Sequence, residues 1–83
     1  MSKTIMWAET DARGVETECL FNEDSRTYEV MVCAKGPWLC RSESFPVEAE
    51  PVRGMADVDH LRSIQIAGRL AADVRHSLGT PRT

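Results

Sequence analysis

The residues whose types could do chemistry are few: Cys19, Cys33, Cys40, His60 and His76. A structural zinc site takes four ligands, usually supplied as close pairs such as CxxC. Cys33 and Cys40 stand seven residues apart, and the chain has no close cysteine pair. A set of Cys33, Cys40 and His60 is therefore one ligand short and wrongly spaced, and no metal is expected. Nucleophilic catalysis needs a thiol of lowered pKa with a base in reach. Cys19 alternates with core positions, where a thiol is packing. Cys33 and Cys40 fall on the sheet face away from the helix that carries both histidines. No nucleophile, base and orienting group can be assembled, so neither an enzyme nor a cofactor is expected.

A second pattern is cationic. Arg62, Arg69 and His76 recur every seven residues and share one stripe of a helix, with Gln65 beside them. Residues 60–83 hold four arginines against Asp73, a local +3, and residues 1–59 hold six basic and twelve acidic residues, a local −6. The sum, −3, argues against a chain built to coat a phosphate backbone. A basic helix end also suits the helix macrodipole, and Arg69–Asp73 is an ordinary i,i+4 pair. A small nucleic-acid-binding domain using Arg62, Arg69 and His76 is the second reading of this chain.

The third pattern is a surface. Leu20, Met31, Cys33, Trp38 and Cys40 share one sheet face if the loop before Trp38 has an even length. Glu16, Glu18 and Glu29 rim them. One helix cannot cover both faces of a sheet. An apolar cluster with an exposed Trp and a charged rim is the composition of a partner-binding surface. A basic partner suits the acidic rim, and the same face could serve a homodimer.

The elements that position these residues follow from periodicity. Residues 4–9 read as a short strand, and Asp11-Ala12-Arg13-Gly14 as a turn. Residues 15–21 alternate, Asn22-Glu23-Asp24-Ser25 turns, and residues 27–34 alternate again. Lys35-Gly36-Pro37 is a third turn, and residues 38–45 are a more polar fourth strand. Pairing Asn22 with Thr27 sets Phe21 against Tyr28, Cys19 against Val30 and Thr17 against Val32. Pairing Thr10 with Gly14 sets Trp7 against Thr17 and Ile5 against Cys19. A slip by one residue would mix the faces, so the agreement is informative. The predicted core face is Ile5, Trp7, Val15, Cys19, Phe21, Tyr28, Val30 and Val32, joined by Leu39, Phe45 and Val47 if the third loop is even.

Residues 46–56 contain Pro46, Pro51 and Gly54 and read as an extended connector. Asp57 is a predicted N-cap, with Asp59 adding charge to the first turn. Leu61, Ile64, Ala67, Leu70, Ala71, Val74 and Leu78 recur at helical spacing, with His60 near the centre of that face. Gly79 and Pro81 supply a stop. The helix spans 58–78, about 31 Å at 1.5 Å per residue, and residues 79–83 form a short tail. The expectation is a single α+β domain over 1–83: a four-stranded antiparallel β-meander with one long C-terminal α-helix packed on one face.

The chain has 83 residues, 42% of them hydrophobic and 28% charged. That suits one small folded domain and leaves no room for a cofactor cradle beside a substrate cleft. There is no apolar run of about 18 residues to span a membrane. The N-terminus, Met1-Ser2-Lys3-Thr4-Ile5-Met6-Trp7, has no signal-peptide pattern. An odd cysteine count points to free thiols in a reducing cytoplasm.

In outline the chain resembles the small anti-CRISPR proteins of phages and mobile elements. The resemblance rests on a short acidic single domain, strands such as Arg26-Thr27-Tyr28-Glu29-Val30-Met31-Val32, and one long C-terminal helix. It implies a non-enzymatic inhibitor that binds a basic nucleic-acid-binding protein, such as a CRISPR effector complex. It assigns no individual residue.

Overall fold

The computed structural model describes residues 3–35 and 38–79. Four strands form one antiparallel sheet in sequence order: β1 (Lys3–Thr10), β2 (Glu16–Asn22), β3 (Thr27–Ala34) and β4 (Leu39–Pro46). One helix, α1 (Asp57–Gly79), packs on the sheet. The α+β meander expected from the sequence is the observed architecture.

Side-chain acceptors fix two of the turns. Asp11 Oδ1 accepts the backbone N–H groups of Arg13 and Val15 at 2.8 and 3.0 Å. Asn22 Oδ1 accepts those of Asp24 and Ser25 at 3.0 and 3.2 Å. These are the local bonds that make Asp and Asn turn formers. The β2–β3 register is the predicted one, with Phe21 opposite Tyr28 and Cys19 opposite Val30. The third loop is even, so Leu39 and Phe45 join the core face opposite Ala34 and Tyr28.

The β1–β2 register differs. Thr10 pairs with Glu16, not Gly14. Gly14 has a φ of 84°, a left-handed value that belongs to a turn. The Asp11 N–H closes that turn on the Val15 carbonyl at 3.0 Å. A bulge then falls between Ile5 and Trp7, so Trp7 opposes Cys19 while Ile5 opposes Leu20. One extra residue reverses the faces beyond it. Ile5, expected in the core, lies on the outer face and is 59% exposed. Met6 and Trp7 both pack against the core instead.

The core centres on Tyr28, stacked between Phe21 and Phe45 with ring centroids 5.4 Å from each. Val15, Cys19, Val30 and Val32 complete its sheet side, and Phe21 is only partly buried. On the helix side the buried residues are Asp59, Ser63, Ile66, Ala67, Leu70 and Val74. The sheet-facing stripe is thus rotated from the predicted one. Leu61, Ile64 and Leu78 are exposed, and so is His60, expected at the centre of the apolar face.

Two buried polar groups cause the rotation. Asp59 Oδ2 accepts the backbone N–H groups of Glu48 and Ala49 at 3.1 and 3.0 Å. It holds the connector onto the helix and is fully buried. Ser63 Oγ donates to the His60 carbonyl at 2.7 Å and accepts from Trp7 Nε1 at 2.9 Å. Polar atoms so satisfied can occupy core positions. The helix begins at Asp57 and runs through Gly79, so the expected N-cap and the glycine expected just past the end are its first and last residues, not its flanks. The expected stop at Pro81 lies outside the described residues, as do Gly36 and Pro37 of the third turn.

Candidate functional site

The outer face of the sheet has no covering element among the described residues. The pleat alone decides what it displays, because alternate residues of each strand point away from α1. β1 contributes Ile5 and Ala8; β2 contributes Leu20, Glu18 and Glu16; β3 contributes Glu29, Met31 and Cys33; β4 contributes Cys40, Ser42 and Ser44. Ile5 sits directly opposite Leu20, and Cys33 opposite Cys40. Ile5, Leu20 and Met31 therefore form an apolar diagonal across β1, β2 and β3, continued by Trp38 beside Met31. Trp38, in the loop before β4, is 67% exposed and Met31 is 37% exposed.

Two shallow hollows flank Met31. One, about 320 Å³, is walled by Trp38, Cys33, Cys40, Glu16 and Glu18. The other, about 340 Å³, runs between Leu20 and Glu29 on one side and Ser42 and Ser44 on the other. The structure thus brings together all eight residues singled out from the sequence: Leu20, Met31, Cys33, Trp38, Cys40, Glu16, Glu18 and Glu29. It adds Ile5, which periodicity alone assigned to the wrong face because a bulge leaves no signature in a short alternating strand.

Cys33 and Cys40 are joined by a disulfide, their Cα atoms 4.1 Å apart across β3 and β4. This corrects the expectation of free thiols at both positions. Directly opposed residues in an antiparallel pair lie within disulfide reach, and the even loop makes these two directly opposed. The disulfide forms part of the floor beside Trp38. Cys19 is the free thiol and is buried. Burial pushes its pKa up to about 11, only partly offset by the hydrogen bond with Ser63. It remains a neutral thiol, the opposite of an activated nucleophile.

The charges of this face are partly tied together. Lys3 reaches Glu29 at 3.1 Å, and Lys35 reaches Glu16 at 2.7 Å. Glu29 also accepts from Asn22 Nδ2 at 3.2 Å, and these two hydrogen bonds, Asn22 first, hold its carboxyl below the usual range. Three carboxylates therefore face two ammonium groups, and Glu18 stands between the paired corners.

The arginine stripe is differently placed from the expectation of a free basic face. Arg62 lies over the Phe45 ring, 5.6 Å from its centroid, and Arg69 is ion-paired with Glu43. Both side chains are engaged with β4. The His60 ring meets Trp7 edge-on at 6.3 Å. Among the described residues no group of three or more His, Cys, Asp or Glu is arranged to hold a metal ion. No helix among them is long and apolar enough to cross a membrane. No family model, curated protein or solved structure matches this chain.

Proposed function

We propose that this protein is a non-enzymatic protein-interaction module that docks a cationic partner on the outer face of its sheet. The observation that carries the reading is the uncovered diagonal of Ile5, Leu20, Met31 and Trp38. Large apolar side chains from β1, β2 and β3, with Trp38 from the loop before β4, line a face that no element among the described residues covers. Aromatic anchors dominate binding energy once an interface buries them, and the exposed Trp38 beside Met31 is placed to be such an anchor. The surplus of carboxylates on this face, and the −6 balance of residues 1–59, favour a positively charged partner. The resemblance to anti-CRISPR proteins gives the partner a concrete form: a nucleic-acid-binding effector whose cationic groove the acidic face occupies. The engagement of Arg62 and Arg69 with β4 weighs against direct phosphate binding by the helix.

The test uses purified CRISPR effector ribonucleoproteins and their target DNA in a gel-shift assay. Added protein should prevent target binding, and Trp38→Ala should lose that effect while keeping a wild-type melting curve. Reversing Glu16 and Glu18 to Lys should mainly slow association, because rim charges steer encounter. The proposal fails if the effectors are unaffected while the protein itself shifts DNA with an affinity that falls steeply between about 50 and 200 mM salt.

A further inference from the structure

The second uncovered region is on the helix side of the sheet. Neighbouring strands are about 4.8 Å apart, so four strands are about 14 Å wide between outer axes. An α-helix is about 10 Å across and covers roughly two of them. α1 lies over β3, β4 and the near side of β2, and among the described residues its backbone does not reach β1. The inner face of β1 and the adjoining part of β2 are left as the floor of a groove of about 340 Å³. Trp7, Val15 and Thr17 form the sheet side, Ile64, Gly68 and Ala71 form the helix wall, and Glu9 and Asp11 stand on the far rim with Arg75 facing them.

The helix wall has its own periodicity. Leu61, Ile64, Gly68, Ala71, Arg75 and Leu78 are spaced 3, 4, 3, 4 and 3 residues apart. That is the seam by which a helix packs side by side on another helix. It is distinct from the stripe of Asp59, Ser63, Ile66, Leu70 and Val74 that packs on the sheet. Leu61 is 58% exposed and Ile64 47% exposed, so this part of the seam is uncovered among the described residues, while Ala71 rests partly against the core. Gly68 and Ala71 at its middle permit close approach, and a Cβ on Gly68 would meet no atom within 4 Å.

We infer that the groove between α1 and β1 receives an amphipathic helix of another protein, packed along the Leu61–Leu78 seam, with Lys or Arg residues on its flank beside Glu9 and Asp11. The groove between β1 and α1, floored by the buried Val15 and Thr17, and the 3,4 spacing of its helix wall select a helix as occupant. Glu9 on β1 and Asp11 in the turn after it outnumber Arg75 in the groove and select a basic flank. Arg75 stands on the opposite wall, where its charge reaches Asp11 without an ion pair to it among the described residues, and it adds its aliphatic stem to the seam. This surface is on the opposite side of the sheet from the Trp38 face, so the inference stands independently of the proposed function.

The test is a titration of the isotopically labelled protein with two synthetic helical peptides. Both carry Leu at alternating 3- and 4-residue spacing; one has Lys on the flank and the other Glu. The Trp7 indole N–H and the Gly68 and Ala71 amides should shift saturably with the Lys peptide. The Glu peptide should bind about fivefold or more weakly, the effect of exchanging one attractive rim pair for repulsion. Glu9→Lys should reverse that preference. Gly68→Leu fills the groove, favours the helix and should abolish the shifts without lowering the melting temperature. Trp38→Ala should leave peptide binding unchanged. Absence of saturable shifts at these three sites, equal affinity for both peptides, or retained binding by Gly68→Leu would overturn the inference. Loss of binding in Trp38→Ala would overturn it too, by moving the peptide to the outer face. Self-association that Gly68→Leu abolishes would make the occupant a second copy, contrary to the inference.

Discussion

Trp7 Nε1 donates to Ser63 Oγ at 2.9 Å, tying the edge strand β1 to a helix whose backbone does not reach it. The bond lies next to the bulge that turns Trp7 inward and Ile5 outward. Trp7→Phe keeps most of the ring but removes the donor. It should cost about 1 kcal/mol. Ser63→Ala should cost a similar amount, and the double mutant less than the sum, because both remove one interaction. Denaturant melts of the three variants measure this.

Asp59 is expected to be the most sensitive polar position. Its carboxylate is buried and accepts two connector N–H groups, from Glu48 and Ala49. Asp59→Ala leaves both donors unpaired and should cost about 2–3 kcal/mol. In so small a domain that lowers the melting temperature by about 10 °C or more. Hydrogen exchange at Glu48 and Ala49 should accelerate selectively in Asp59→Asn, where the charge is lost but the shape is kept.

Tyr28 behaves in the opposite sense. Its hydroxyl is buried and has no hydrogen-bond partner among the described residues. Burial, and then the negative charge of Asp59, hold its pKa above the usual phenol range. Removing an unpaired buried hydroxyl relieves a desolvation penalty, so Tyr28→Phe should raise stability by about 1 kcal/mol. A lowered melting temperature would contradict the unpaired hydroxyl.

Asp11 gives a pH dependence with a definite sign. The Val15 and Arg13 N–H groups bond the carboxylate and hold its pKa below the ordinary 3.8. A depressed folded pKa means the contribution is present above the unfolded value and is lost as pH falls through the folded one. The β1–β2 turn should therefore loosen only in acid below about pH 4. The Arg13 and Val15 amide resonances should titrate together there, and Asp11→Asn should abolish that titration.

Alternation and turn chemistry determined much of this protein. Phe21 against Tyr28, Cys19 against Val30 and the turn at Asn22 follow from period-two patterning around a short loop, a local matter. The outer-face set of Leu20, Met31, Glu16, Glu18 and Glu29 follows from the same parity, whereas Trp38 joins it only because the third loop is even. The fate of Ile5 was decided by the β1–β2 loop, where Gly14 takes a left-handed turn conformation, and by the bulge beyond it. A single inserted residue inverts a face without changing the alternating pattern. The roll of α1 was likewise decided by tertiary contacts. Apolar spacing favoured Leu61, Ile64 and Leu78 toward the sheet, but Asp59 and Ser63 had connector N–H groups and the Trp7 indole to satisfy, and buried polar atoms must be paired. The Cys33–Cys40 bond joins residues seven apart in sequence only because the even loop sets them face to face. Local patterning fixes which residues share a strand face; only the folded chain decides which partner each polar group finds, and so which apolar faces remain uncovered.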